Sequence, residues 1–478
     1  MRKFKDGYII IQTLVFGTVA ALLLGALMGW AVINLKLGDR VILSEKAFHV
    51  AEAGIEYYRW HLAHNPLDFT DGTGESGPYV HQYKNKDGES IGNFTLDIEP
   101  PPIGSTIVTV VSTGQPIENE NIKRSIEVKM AIPSIAKYAF VANSKMRFGE
   151  GTEVVGPIHS NDGIRFDGFA HNLVTSAKPQ YDDPDHSGFE EFGVHTHLSP
   201  IDPLPPTEVP NRLDVFAAGR LFPVPAVDFN GFTASVADIK SKAQAEGLYF
   251  SASGAFGYNL VLKTDNTFDL YRVDNLVSPP SGCINIYDQP NWGTWSIASQ
   301  TFLANYPFPD NGLIFAEDDI WVEGQIDGSR LTIASARFPE GSSPDSHITV
   351  NNNLTYTYYD GRDVIALIAQ GNINVGMVSQ NNLQIDAALV AKNGRVGRFY
   401  YRPPYWIYSR CSPYHTRSTI DLFGMIGTNE RYGFAYTDGN GYDIRNIAYD
   451  GNFLYGPPPS FPLASDFYET ISWREVNN

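Results

Sequence analysis

From Tyr8 to Leu35 the chain is almost unbrokenly apolar, with Gln12, Thr13, Thr18 and Asn34 as uncharged interruptions. A run this long predicts a membrane-spanning helix, which needs about 20 apolar residues. A cleavable secretory signal would have a shorter apolar region, of about 7 to 15 residues, ending in a small-residue cleavage site. Here the pattern continues instead. From Glu45 to His64, Ala47, Val50, Ala51, Gly54, Ile55, Tyr58 and Leu62 recur at three- and four-residue spacing, the signature of an amphipathic helix. Asn65-Pro66 stops it. Residues 8–64 are therefore expected to form one long helix, with 8–35 in the membrane.

Strand patterns follow at Gly92–Ile98, Ser105–Ser112 and Ile122–Ile132, separated by Pro100-Pro-Pro102 and Gly114-Gln-Pro116. Residues 65–133 thus predict a small antiparallel sheet against the helix. Beyond Pro133 the strands become very short and are punctuated by Gly, Asn and Asp, as in 153–166, 319–328 with 331–334, and 364–375 with 383–387. Segments too short to bury a core alone suggest the stacked coils of a β-solenoid, a parallel β-helix-like body. A β-sandwich would show similar strands, but would not call for Gly-Gln-Ile and Gly-Asn-Ile corners. The solenoid is expected in two parts, 134–199 and 311–478, the latter including a C-terminal tail. Between them, 200–310 reads as a proline-rich connector and an α+β insertion: a helix over Thr233–Glu246 with Thr233 as N-cap, then a hairpin of Tyr258–Lys263 and Thr267–Val273. The fold class is mainly β with a long N-terminal transmembrane α-helix, a small α+β head and a β-solenoid.

The apolar run is preceded by a short basic leader, Met1-Arg-Lys-Phe-Lys-Asp-Gly7, and followed by Ala47-Phe-His-Val-Ala-Glu-Ala-Gly54-Ile-Glu-Tyr-Tyr58. These segments resemble type IV pilins, most closely minor pilins with a PilX-type N-terminus. The resemblance implies that a prepilin peptidase cleaves after Gly7 and leaves Tyr8 as a methylated N-terminus. It also implies other pilin subunits and the membrane as partners, no cofactor, and a life in the cytoplasmic membrane followed by a cell-surface filament. Basic residues flank the span on both sides, so charge placement guides orientation weakly; the short leader places the N-terminus in the cytoplasm and the C-terminal part outside. Where most major pilins carry a Glu that meets a neighbour's N-terminus, this chain has Gln12. That departure points to a minor or tip subunit. The order of parts, closing on Pro457-Pro-Pro459 and Ser472-Trp-Arg-Glu475, is similar to large PilX-like proteins of uncharacterised function. A plain signal anchor on a surface protein would also account for the hydrophobic run.

Composition agrees with an exported β-rich body: 43 Gly, 31 Pro, 26 Tyr and 28 Phe accompany only 18% charged residues. A net charge of -18 argues against nucleic acid as a partner, since phosphate binding needs concentrated Lys and Arg. Cys283 and Cys411 would meet an oxidising compartment; one bridge and two buried thiols both remain open.

Candidate chemistry is sparse. Gly88-Glu-Ser90-Ile-Gly92 matches a hydrolase elbow, but that mechanism needs a strand before the serine and a helix after it, whereas a polar loop precedes it and a strand follows. Asp182, Asp183, Asp185, His186, Glu190, Glu191, His195 and His197 form the densest set of potential metal ligands. Of these His195, His197 and Asp185 are the candidates, His195-Thr-His197 placing both imidazoles on one side of a strand. An acidic exposed loop with incidental histidines fits the spacing better, because a metal site needs converging ligands. Asp318, Asp319, Glu323 and Asp327 could supply the carboxylate pair of a membrane-anchored carbohydrate-active β-helix enzyme, the alternative function. In Phe399-Tyr-Tyr-Arg-Pro-Pro-Tyr-Trp-Ile-Tyr408, Tyr401, Tyr405 and Trp406 are candidate contacts for a surface glycan or protein ligand; an aromatic cap on the solenoid end is the other reading. No catalytic constellation emerges. The expectation is a non-enzymatic pilin-like protein displaying its head at or near a filament tip for structural or adhesive contact.

Overall fold

The computed structural model describes residues 6–476 apart from 103–104, 133, 187, 230, 342–343, 455, 462 and 464–466. Leader residues Met1–Lys5 lie outside the described residues. The chain divides into two compact units, one of residues 1–101, 107–131 and 467–478, the other of 102–106 and 132–466.

The first unit is built on helix α1 (Asp6–His64). Its N-terminal half is long and apolar enough to cross a membrane, and large side chains from Tyr8 to Ile42 face outward with nothing packed on them. The second half is amphipathic. Val50, Ala51, Ile55, Tyr58 and Leu62 pack on Phe94, Leu96, Val108, Val110, Ile126, Val128 and Met130, which come from strands β2 (Ser90–Glu99), β3 (Val108–Pro116) and β4 (Arg124–Ala131). Small residues set the spacing: a Cβ on Gly114 would stand 2.1 Å from the Ala47 carbonyl oxygen, and one on Gly54 would stand 2.3 Å from Ser112 Oγ. The helix ends where Asn65 N–H donates to the His61 carbonyl, while His61 Nε2 meets Asp68 Oδ2 at 3.0 Å.

The sheet is antiparallel and gains two strands that the sequence pattern does not announce. Strand β1 (Tyr79–Lys84) pairs with β2, and Glu469–Val476 pairs with β4. Both are edge strands with mostly exposed side chains, so neither shows the apolar alternation by which a half-buried strand is read. The last strand is held by its backbone ladder with β4, flanked by ion pairs: Arg474 makes a bidentate contact with Glu127 at 2.9 and 2.8 Å, and Arg124 pairs with Glu475. The C-terminal tail thus belongs to the small sheet, and not to the second solenoid part in which the sequence reading placed it.

The second unit is dominated by parallel pairing. Leu248, Ile314, Ile333, Leu367, Leu389, Ile426, Phe140, Ile158 and Val174 are successive register partners across neighbouring strands. From Ile314 on, this ladder is fully inside the core. A second ladder runs through Ile320, Ile348, Ile373 and Val396, and a third through Leu354, Ile385, Leu422, Ile447 and Val154. Each short strand contributes an inward apolar residue too small to form a core alone; stacking in register buries it. The stack closes a long gap in sequence, since Thr416–Thr428 pairs directly with Phe140–Ala142.

Two details differ from the sequence reading. The helix within 200–310 spans Gly231–Glu246, so it begins ahead of the expected start at Thr233. Leu248–Phe250 and Gly257–Leu262 pair in parallel with Leu313–Ala316 and Ile320–Ile326, so part of the expected insertion is hydrogen-bonded into the parallel stack.

Candidate functional site

Tyr8 and Gln12 lie near the start of α1 and are exposed. Nothing among the described residues competes with a partner for the apolar surface around them. Gln12 adds a neutral donor and acceptor to that surface, where a carboxylate would add charge.

The aromatic segment splits in two. Tyr401 is buried with Phe399, Met377, Cys283 and Cys411, and its hydroxyl donates to the Gly293 carbonyl at 2.8 Å. This corrects the expectation for Tyr401, which faces a core and offers no surface to a ligand. Tyr405, Trp406, Ile407 and Tyr408 are exposed, Trp406 to 89%. The Tyr405 and Tyr408 backbones exchange hydrogen bonds at 3.0 Å in both directions, which puts Trp406 and Ile407 at the apex of a tight turn. Trp406 has φ +53°, a left-handed conformation that L-residues adopt at a cost of roughly 1–2 kcal/mol. The Arg410 guanidinium lies 5.0 Å from the Tyr405 ring centroid, and a disulfide joins the following Cys411 to Cys283. The turn is thus anchored by the bridge and presents a bare indole to solvent. Cys411, close behind Trp406 in sequence, was the available signal for this anchoring.

The histidine-rich loop does bring ligands together, in a different combination from that expected. Asp183, His195 and His197 place one donor atom each within 4.8 Å of one another, as do His186, Glu191 and His197. Asp185 is not in either group; its carboxylate pairs with Arg431 at 2.6 Å and Arg147 at 3.3 Å. Adjacent acids in a turn point different ways, and spacing alone did not distinguish Asp183 from Asp185.

Of the carboxylates of the alternative reading, Asp318 and Asp319 are tied into the fold by hydrogen bonds. Asp318 accepts from Ser253 N and Oγ at 2.8 and 2.6 Å and from Arg337 at 2.8 Å; against burial, these bonds hold its carboxyl below the usual value. Asp319 accepts from the His347 amide at 2.7 Å and Arg337 at 3.2 Å, and burial pushes its carboxyl up to about 6 against the pull of Arg337. Glu323 lines a cleft of about 390 Å³ with Asn259, Gln300, Trp321 and Asn352, and its Oε1 accepts from Asn259 at 3.2 Å. Neither Asp318 nor Asp319 lines that cleft. Ser90 opens strand β2 with no helix after it, so the hydrolase-like pattern lacks its elbow.

No family model matches the chain and no curated protein matches it. Among solved structures, the crystal structure of the competence-associated pilin ComZ from Thermus thermophilus aligns over 91% of this chain and 97% of that chain, at 14% identity and a TM-score of 0.32. A similarity at that score decides neither fold nor function.

Proposed function

We propose that this protein is a minor pilin or pilin-like envelope protein, inserted in the cytoplasmic membrane through residues 8–35 and displaying its β-rich part outside the cell. The observation that carries the reading is α1: one continuous helix whose first half is bare and apolar and whose second half seats Ala47, Ala51 and Gly54 tightly on an antiparallel sheet. A simple anchor needs only the first half. The leader ending at Gly7 and the segment Ala47–Tyr58 add the sequence resemblance. Prepilin peptidase is then the processing partner and other pilins are the assembly partners.

On this reading the parallel body is a β-solenoid, supported by its apolar ladders, and its role is structural or adhesive, without catalysis. The turn at Trp406 is its contact for a surface glycan or protein. Gln12 places the subunit at the tip. A Glu there would attract the charged N-terminus of a neighbouring subunit, an attraction strengthened in a low-dielectric medium; Gln12 removes it, which suits the first subunit better than later ones. Immunogold labelling of producing cells tests the assignment. Sparse label at filament ends is expected, even label along the shaft overturns the tip position, and label confined to filament-free envelope overturns the pilin reading.

A further inference from the structure

We propose that Asp183, His195 and His197 form the binding site of a first-row transition-metal dication, zinc by the nature of the donors, which fastens a surface hairpin to the parallel stack. The strand Val194–His195 pairs in parallel with Ile164–Phe166, Val194 opposite Ile164 and His195 opposite Arg165. Val194 lies in the core. His195, one residue on, points to the opposite face, where Tyr181 of the antiparallel hairpin Gln180–Asp182 and Glu190–Phe192 approaches it at 5.5 Å between rings. The site therefore lies between the hairpin and the strand it covers.

What marks it is a buried imidazole that stands against the Asp183 carboxylate without a hydrogen bond to it or to any other described residue. His195 is 0% exposed, yet neither of its ring nitrogens has a hydrogen-bond partner among the described residues, and the same holds for Asp183 Oδ2. A buried neutral imidazole requires a donor and an acceptor for its two nitrogens. His195 Nε2 and Asp183 Oδ2 are 3.6 Å apart, too far for a hydrogen bond. That separation suits a shared ion: with metal bonds of about 2.0–2.2 Å, tetrahedral ligand atoms stand roughly 3.4 Å from one another. Asp183 is held for the purpose, since its Oδ1 accepts from the Asp185 amide at 3.0 Å.

The surroundings fit as well. His197 lies 5.1 Å from His195 between ring centroids. Glu191, with its side chain 2% exposed, approaches His197 Nε2 at 3.3 Å and His186 Nδ1 at 2.8 Å, a second carboxylate of the kind that orients metal-bound imidazoles. Arg165, whose Nε pairs with Asp167 at 2.6 Å, also places Nη1 3.5 Å from Asp183 Oδ2, so a bound metal must displace this guanidinium as the cation facing that oxygen. Two imidazoles with carboxylate oxygen favour zinc and its transition-metal neighbours over calcium or magnesium, which take oxygen ligands.

The test uses the full chain in detergent, stripped with a chelator and titrated with zinc alone. Elemental analysis after dialysis should find about one zinc per chain, and zinc should raise the thermal midpoint of the stripped protein. Asp183→Asn and His195→Gln should each weaken binding by at least about tenfold, whereas His171→Gln, an exposed histidine beside Glu153, should leave it unchanged. Stripped wild-type protein that takes up no zinc overturns the proposal, and so does uptake that survives both substitutions. If those variants do not fold, cobalt(II) in the wild type decides. Intense visible bands of a four- or five-coordinate site support the assignment, and the weak spectrum of the aqua ion overturns it.

Discussion

Replacing Gly114 by Ala is the sharpest probe of how α1 sits on its sheet. The new Cβ would stand 2.1 Å from the Ala47 carbonyl oxygen, 2.4 Å from Ala51 N and 3.1 Å from Ala51 Cα. All are helix backbone atoms, so no rotamer change relieves the contact and the helix must retreat by roughly 1 Å. A gap of that size forfeits about a quarter to a half of each dispersion well along the seam. Overpacking of this kind costs about 1–3 kcal/mol, and the reduced freedom of the unfolded chain returns about 0.4–1 kcal/mol, leaving a net loss centred on about 1.3 kcal/mol. Exchange of the β3 amides measured by mass spectrometry on the full chain should accelerate about 5- to 30-fold. Gly54→Ala should do less, because its close neighbours are side-chain atoms of Ser112 and Phe94 and not backbone. Gly38→Ala meets nothing within 4 Å and should be neutral or stabilise the helix by up to about 1 kcal/mol. Unchanged protection in Gly114→Ala, or a larger effect from Gly54→Ala, would refute the packing described.

Burial holds the His347 imidazole down to about 4, and its Nδ1 accepts from the Asn372 amide at 2.8 Å. An unfolded imidazole titrates near 6.5, so the unfolded chain takes the proton first; this contribution is present above that value and is lost as pH falls from about 6.5 to about 4, on the order of 3 kcal/mol. Burial of Asp319 acts in the opposite sense, so the comparison is His347→Gln against wild type: the difference in denaturant midpoint should shrink with acid, and parallel profiles would count against it. Removing the Cys283–Cys411 bridge, whose sequence separation is 128, by the double Ser variant should lower stability by up to about 4–5 kcal/mol; an unchanged urea midpoint would contradict this. Trp406→Ala should leave stability within about 0.5 kcal/mol while reducing adhesion in a cell-binding assay, and a large drop in thermal midpoint would show that the indole packs rather than presents.

The parts of the fold that were legible in the chain are those whose partners are local or whose pattern repeats. The apolar run from Tyr8 and the spacing of Ala47, Ala51, Ile55 and Tyr58 predict α1 because a helix imposes its own period. The mainly β character of the rest follows from short apolar strands between Gly and Asn. Register was not legible, since Ile426 meets Phe140 across almost the whole unit and each strand is too short to name its neighbour. Edge strands are hard to read for a related reason: Glu469–Val476 has mostly exposed side chains, and its Arg474 and Glu475 face Glu127 and Arg124, a charge complementarity that no periodicity reveals. At the candidate sites, residue type was visible and direction was not. Tyr401 and Tyr405 read alike as sequence, yet one lines the disulfide core and the other stands in solvent. Asp183 and Asp185 likewise differ only in where the turn points them.

The central claim is that α1 is a pilin helix released by processing at Gly7, and mass spectrometry of the mature N-terminus in producing cells tests it most directly. The account predicts a chain beginning at Tyr8 with a methylated amine, and accumulation of the uncut form in Gly7→Arg. A mature chain that begins beyond Leu35, or one that keeps Met1 to Gly7 in cells with an active prepilin peptidase, would contradict it.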